Sequence, residues 1–310
     1  KEESDFEEKK TFSVLSNPEF LAEGTAIDDL INPDRVLIGG DEPKAISALC
    51  DIYKNWIEES KIITTNLWSS ELSKLIANAF LAQRISSINS VTALCEATGA
   101  NISEVAMAVG SDSRIGNNFL KPGPGFGGSC FKKDILNLVY LCKSFGLNEV
   151  AEYWYQVVKI NEYQKNRVYN IAKDILKKEK INDIIILGWA FKKNTNDSRE
   201  SASIHIAYKL LKEGFRIHVY DPLIEENKII LDLENFDKTA EVQFDNCKRF
   251  ISQLNVYNSI KEIITKSNVC IILTECDEFK NFNWKKISKP FHIFDSRNYL
   301  SKNVISNKLI

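Results

Sequence analysis

Apolar positions in this 310-residue chain fall into short runs and helical stripes that alternate from end to end. Phe12-Ser-Val-Leu15, Val36-Leu-Ile38 and Lys61-Ile-Ile-Thr-Thr65 read as strands. Between the last two, Ile46, Leu49, Ile52, Tyr53 and Trp56 recur at helical spacing. These elements resemble the second half of an α/β unit with no first half in front of it. From Ser69 to about Thr98 no Pro or Gly interrupts a stripe that includes Leu72, Leu75, Ile76, Ala79, Ile85, Ile88, Val91 and Leu94. One helix of that length would run on the order of 45 Å, and Gly99 would end it. Asn101-Ile-Ser-Glu opens a short helix, with Asn101 or Ser103 as its cap. A loop rich in Gly and Pro covers 116–129, followed by a helix through Phe145 and another from about Glu149 to Lys178.

The texture changes at 182. Asp183-Ile-Ile-Ile-Leu-Gly188 is a continuous apolar run closed by glycine, the pattern of a strand buried on both faces of a parallel sheet. Further strands are expected at Arg216–Tyr220, Val269–Leu273 and Phe291–Phe294, with helices near 200–213 and 257–266. This alternation predicts a doubly wound parallel sheet. The stretch 225–250 carries the least pattern.

Composition narrows the field only a little. Hydrophobic residues make up 44% and charged residues 26%, and 40 basic against 42 acidic side chains leave a net charge of −2. That balance excludes a strongly basic nucleic-acid binder. No apolar run reaches the roughly 18–20 residues of a membrane span. The charged start, Lys1-Glu-Glu-Ser-Asp, is no secretory signal. Met107 is the one methionine, so the chain is expected to have a processed start or to be a piece of a longer protein. The seven cysteines include no C-x-x-C pair, and with three histidines no metal site is expected. Cys50, Cys95, Cys142 and Cys270 read as small buried hydrophobes, which points to a reducing, cytoplasmic setting.

The most informative segment is Lys121-Pro-Gly-Pro-Gly-Phe-Gly-Gly-Ser-Cys130-Phe-Lys-Lys-Asp134. Gly123, Gly125 and Gly128 satisfy G-x-G-x-x-G, but polar residues precede them and two prolines interrupt them. The dinucleotide fingerprint needs a preceding buried strand, so the match is rejected. A glycine loop instead permits close backbone approach to a ligand and delivers Cys130 to a helix start, where the macrodipole favours thiolate. Of the seven cysteines, Cys130 is the one placed as a nucleophile. Glu19 and Glu23 follow a strand end, where open α/β sheets present their ligand crevice. Lys74 and Asn78 stand one turn apart among apolar neighbours, and a buried amine needs a partner or a task.

These motifs carry a resemblance. Asn17-Pro-Glu-Phe-Leu-Ala-Glu-Gly-Thr-Ala-Ile27, Leu67-Trp-Ser-Ser-Glu-Leu-Ser-Lys-Leu75 with Ala77-Asn-Ala-Phe-Leu-Ala-Gln-Arg84, Gly125-Phe-Gly-Gly-Ser-Cys-Phe131 with Lys133-Asp134, and Leu187-Gly with Ala190-Phe-Lys-Lys193 are similar to the UDP-glucose 6-dehydrogenases of eukaryotic type. The resemblance runs from about Phe12 to Arg297. It implies a Rossmann-like remainder of an NAD-binding domain over 1–65, a central helical and dimerisation domain over 66–180, and a UDP-sugar-binding Rossmann-like domain over 181–310. It also implies a two-step, NAD-dependent oxidation of UDP-glucose to UDP-glucuronate through a thiohemiacetal and a thioester on Cys130. By matching motif, Lys74 and Asn78 would stabilise the oxyanion, Asp134 would position the hydrolytic water, and Glu19 would stand near that water. Phe20, Leu21, Arg114, Lys121, Phe126, Gly127, Phe191, Lys192 and Arg297 would contact substrate, and Glu23, Lys133 and Arg199 would meet NAD. The resemblance further implies self-association into at least a homodimer, with neither a nucleic-acid nor a membrane partner.

The sequence also departs from the family pattern. It holds no strand-linked G-x-G-x-x-G, so this piece is expected to oxidise its substrate poorly or not at all. The turn Gly39-Gly-Asp-Glu-Pro-Lys44 is short, and Pro122 and Pro124 replace expected non-proline residues in the glycine loop. A related GDP-mannose or UDP-amino-sugar dehydrogenase and a non-catalytic nucleotide-sugar-binding module remain the alternatives.

Overall fold

The computed structural model describes residues 12–239, 252–287 and 290–300. The chain divides into two compact units, Lys1–Ala77 and Asn78–Ile310. The first holds a three-stranded sheet in the order β1 (Leu15–Ser16), β2 (Val36–Gly40), β3 (Ile62–Thr65). β2 runs parallel to β3 and antiparallel to β1. Val36 and Ile38 of β2 are buried against Ile57, with Ile46, Leu49 and Tyr53 of helix α2 (Pro43–Tyr53) packed beside them. The strand expected from Phe12 is limited to Leu15–Ser16, and Phe12 and Val14 are exposed. A short helix α1 (Ala26–Ile31) lies between β1 and β2.

Helix α3 (Leu67–Ser90) crosses the division between the units. The single long helix expected through Thr98 is interrupted at Val91, which caps a separate α4 (Thr92–Thr98). Thr92 gives a local reason, because its hydroxyl donates to the Asn89 carbonyl at 2.7 Å and takes over that helical acceptor. Gly99 ends α4 in the left-handed conformation, φ +77°. Asn101 caps α5 (Ile102–Gly110), its side chain accepting from the Ser103 amide. Helices α6 (Phe131–Ser144) and α7 (Asn148–Glu179) follow. Ala79 and Ala82 of α3 pack with Ile135, Leu138 and Val139 of α6 and Val157 and Val158 of α7.

The rest of the second unit is built on a five-stranded parallel sheet in the order β6-β5-β4-β7-β8. These strands are β4 (Asp183–Leu187), β5 (Arg216–Tyr220), β6 (Leu254–Val256), β7 (Val269–Ile272) and β8 (His292–Asp295). The apolar run of β4 serves both faces. Ile184 and Ile186 pack with Leu176 of α7 and Ile206 and Leu210 of α8 (Ala202–Lys212). Ile185 and Leu187 pack with Ile260, Ile263, Phe279 and Trp284 on the other face. Strand order reverses beside β4, whose neighbours are β5 and β7, so the crevice at a topological switch point lies beyond the carboxyl ends of β4 and β7.

The poorly patterned stretch begins with a helix the sequence reading did not anticipate, α9 (Glu226–Thr239), which buries Ile229 and Leu233. Residues 240–251 lie outside the described set. The helix expected near 257–266 is confined to Ile260–Ile263. No helix among the described residues is long and apolar enough to cross a membrane.

Candidate active site

In the first unit the loop after β1 carries the Asn17–Gly24 motif. The Asn17 amide donates to the Leu37 carbonyl of β2 at 2.8 Å and accepts from the Tyr53 hydroxyl at 2.7 Å, which ties the loop to its own sheet. The Asp29 carboxylate accepts from the Ala22 amide at 2.8 Å and the Thr25 hydroxyl at 3.0 Å. Within this frame the Lys74 ammonium of α3 donates to both the main-chain carbonyl and the carboxylate of Glu19. The other Glu19 oxygen accepts from the Leu21 amide at 2.8 Å. The Phe20 ring lies under the Arg35 guanidinium, 3.8 Å from ring centre to Cζ. Glu23 is exposed. A cavity of about 280 Å³ opens along this loop, with Asn17, Glu19, Phe20, Leu21 and Arg35 in its wall.

In the second unit Cys130 occupies the N-cap position of α6, and it is the one exposed cysteine among the described residues. Its carbonyl accepts from the Asp134 amide at 2.8 Å, the first turn of the helix. Cys95, Cys142 and Cys270 are buried and Cys50 is half-buried, as small apolar side chains would be. Burial pushes the Cys270 thiol well up, with Asp295 acting in the same direction. Behind Cys130, Asp134 is 5% exposed and its carboxylate accepts from the Asn78 amide of α3 at 2.5 Å. A buried carboxylate with a single neutral donor retains lone pairs for a water or a reacting group. The Lys133 ammonium is exposed, 3.7 Å from the other Asp134 oxygen.

The glycine loop before Cys130 is buried from Pro122 to Gly128. Its Gly128 amide donates to the Arg199 carbonyl at 2.7 Å. A Cβ on Gly127 would stand 2.7 Å from both the Glu200 carbonyl oxygen and the Phe191 Cβ, so only glycine fits between them. Lys132 pairs with the Glu200 carboxylate at 2.9 Å. The loop therefore packs on the segments that leave the carboxyl end of β4.

The switch-point crevice is organised by Asp221, which follows β5. One of its oxygens accepts from the amides of Trp189 at 2.6 Å and Ala190 at 3.0 Å, fixing the turn after β4. Arg297, just beyond β8, donates from its guanidinium to the carbonyls of Leu273 at 2.8 Å and Phe191 at 3.2 Å, while its main-chain N–H donates to the Asp295 carboxylate at 3.1 Å. Burial pushes its pKa down, against the opposing pull of Glu275 and Asp295. A guanidinium nonetheless stays cationic, so the crevice holds a fixed positive charge. Lys192 places its ammonium 5.6 Å from the Phe191 ring centre. Two cations at this position suit a phosphate-bearing ligand.

The structure thus assembles two groups of the residues marked out from sequence. Glu19, Phe20, Leu21 and Lys74 meet in the first unit. Cys130, Asn78, Asp134 and Lys133 meet in the second, where Phe126, Gly127, Phe191 and Arg297 form a connected wall. Arg199 is held by the Asp197 carboxylate at 2.7 Å with its side chain exposed, and Lys121 is exposed. Arg114 joins neither group; its guanidinium is engaged by Asp112 at 2.6 Å, which holds that carboxyl below its usual range. The sequence reading did not mark out Asp221, nor the buried carboxamides Asn89, Asn161 and Gln164. An acid directly after a strand was available as a signal for Asp221; the carboxamides left only polar letters on apolar helix faces.

A five-stranded parallel sheet with helices on both faces and a cationic crevice at its switch point defines a nucleotide-binding class of α/β protein. The chain belongs to the UDP-glucose/GDP-mannose dehydrogenase family: residues 1–57 match its NAD binding domain, 68–163 its central domain and 185–302 its UDP binding domain. It is 53% identical over 296 residues to a UDP-glucose 6-dehydrogenase of Mus musculus, covering 93% of this chain and 59% of that protein. Against UDP-glucose 6-dehydrogenase 4 of Arabidopsis thaliana the identity is 51% over 304 residues, covering 94% and 63%. The solved structure of a UDP-glucose dehydrogenase from Pyrobaculum islandicum superposes with a TM-score of 0.78 at 30% identity, over 96% of this chain and 63% of that one. The chain thus spans about three fifths of the length of these relatives.

Proposed function

We propose that this chain carries the sugar-oxidising centre of an NAD-dependent UDP-glucose 6-dehydrogenase, with Cys130 as the nucleophile. The observation that carries the reading is the placement of an exposed Cys130 at the start of α6, one turn ahead of a buried Asp134 that is held by Asn78. The 51–53% identity to UDP-glucose 6-dehydrogenases favours a UDP-glucose substrate. The setting is cytoplasmic, and the chain acts as part of a homodimer or larger homo-oligomer.

The chain's own residues divide the work. Arg297 and Lys192 meet the diphosphate, and Phe126, Gly127 and Phe191 wall the ligand. Phe20, Leu21, Arg114 and Lys121 are further substrate contacts. The Cys130 sulfur adds to the carbonyl carbon of the sugar C6 aldehyde, forming one C–S bond while the carbonyl oxygen gains a proton. Lys74 and Asn78 stabilise the charge that develops on that oxygen, and Lys74 also handles its proton. Once the adduct has become a thioester, Asp134 orients the water that attacks it, releasing the carboxylate and the Cys130 thiol. Glu19, anchored by Lys74, borders that water.

The cofactor reading is tested by the donors present. Arg199 and Lys133 are exposed cations in the second unit and suit the phosphates of NAD, and Glu23 is an exposed carboxylate suited to a ribose hydroxyl. The glycine-rich turn after a strand that cradles a pyrophosphate is not present in the sequence. NAD, when bound, accepts hydride from the sugar carbon. The 310-residue chain is therefore expected to bind UDP-glucose and to oxidise it slowly or not at all.

Calorimetric titration with UDP-glucose and GDP-mannose tests substrate class, and preference for the guanine nucleotide would reverse the assignment. In an active form of the enzyme, Cys130→Ser should abolish net formation of UDP-glucuronate. Normal acid formation by that variant would sink the mechanism.

A further inference from the structure

The loop from Pro122 to Gly128 is buried, yet it belongs to no helix or sheet. Buried main-chain amides and carbonyls need partners, and here side-chain carboxamides supply them. The Asn161 amide of α7 accepts from the Phe126 N–H at 2.8 Å and donates to the Phe126 carbonyl at 3.1 Å. That is the two-bond exchange a neighbouring strand would make. One turn on, the Gln164 amide donates to the Gly123 carbonyl at 2.9 Å. From the end of α3, Asn89 accepts from the Gly123 N–H at 2.9 Å. Both polar groups of Gly123 and of Phe126 are thereby held by three carboxamides whose exposure is 1%, 2% and 0% for Asn89, Asn161 and Gln164.

The surroundings are shaped around this grip. Gly125 has φ +127°, and a Cβ there would meet the Asn161 Oδ1 at 2.8 Å and the Lys165 Cγ at 3.2 Å. Glycine is what lets the Asn161 amide reach the loop. Lys165, 3% exposed, turns its ammonium away to Glu162 at 3.1 Å and leaves its stem under Gly125. Asn161, Gln164 and Lys165 share one face of α7 by their three- and four-residue spacing.

The geometry points to Asn161, Gln164 and Asn89 as positioning residues that set the glycine loop, and through it the Phe126–Gly127 wall and the start of α6 at Cys130. This rests on the proposed UDP-glucose reading for the ligand, but the contacts themselves do not depend on it. Among the described residues no other hydrogen bond reaches the Phe126 amide or carbonyl.

The test is protection of Cys130 from iodoacetamide by UDP-glucose in the full chain, followed by intact mass, with thermal melting recorded alongside. Asn161→Ala should raise the UDP-glucose concentration that gives half-protection about tenfold, or about 1.4 kcal/mol. Asn161→Asp keeps the acceptor for the Phe126 N–H and loses the donor, so it should fall between wild type and Ala. Gln164→Met, which fills the same space without polar atoms, should raise the value about threefold. Tyr163→Ala, at an exposed position of α7 that makes no hydrogen bond to the loop, should leave it unchanged. A purely structural role would lower melting temperature while leaving half-protection in place, and that result in Asn161→Asp and Gln164→Met would overturn the proposal even if Asn161→Ala fails to fold. Should wild type show no protection by UDP-glucose, the substrate reading fails instead. The loop assignment is then judged on hydrogen exchange of the Gly123 and Phe126 amides, which must accelerate at least tenfold in the Asn161 and Gln164 variants.

Discussion

His205 shows how burial at a single residue sets a pH dependence. Its ring lies between α7 and α8, with Nε2 3.0 Å from the Asn166 carboxamide oxygen and Nδ1 3.8 Å from Glu162. Burial pushes its pKa down to about 4; Lys165 adds to the fall, Glu162 opposes it, and Lys209 and Lys132 act with burial. The unfolded chain keeps the ordinary histidine value of about 6.5. Between those two values the unfolded state binds the proton first, so stability is lost as pH falls from about 6.5 towards 4. Glu162, held below its usual range by Lys165 and His205 against its own desolvation, adds a loss in the same direction below the carboxylate range. Thermal melts across pH 7 to 4 should show a falling melting temperature in wild type. His205→Gln should flatten the part between 6.5 and 5, and an unchanged slope there would mean that another group carries the effect.

At the level of elements, the turn after β4 depends on an acid from the neighbouring strand. Asp221 is 8% exposed and receives the Trp189 and Ala190 amides on one oxygen and the Leu223 amide on the other. Asp221→Ala leaves three donors without partners and should destabilise the protein by roughly 2–4 kcal/mol. Urea unfolding measures this, and a loss under 1 kcal/mol would show that water replaces the carboxylate. The elements themselves differ in how far sequence reveals them. β4 and α7 were legible because their burial is written as an unbroken apolar run or a long stripe, and β5 because Ile217, Val219 and Tyr220 form a short β-prone run bounded by Gly214 and Pro222. Strand β5 is found at the expected Arg216–Tyr220. The break at Val91 was not legible, since Thr92 and Asn89 end α3 through side-chain bonds that carry no periodicity. Helix α9 hid because, of its apolar side chains, only Ile229 and Leu233 are deeply buried, in a segment crowded with charges. In the site, Cys130, Asn78 and Asp134 were marked by motif, whereas Asn161 and Gln164 read as ordinary polar positions until the loop they hold was in view.

Across the molecule, the second unit gathers the crevice residues into one parallel sheet, so occupancy and folding should be linked. UDP at a hundred times its dissociation constant should stabilise the chain by about 2.7 kcal/mol if it binds only the folded state. A melting-temperature rise that saturates with UDP, and is lost in Arg297→Ala, is the expected result; no rise with UDP would argue against the crevice as its site. The order of strands in that sheet also bears on how the protein is made. β4 lies at its centre, paired with β5 and β7, and β7 begins at Val269. During synthesis Ile184–Leu187 leaves the ribosome long before its second neighbour exists. At the usual elongation rate that interval is on the order of ten seconds. Through that time one edge of a strand with four fully buried apolar residues stands open, so the nascent chain is a natural client for chaperone holding until β7 arrives.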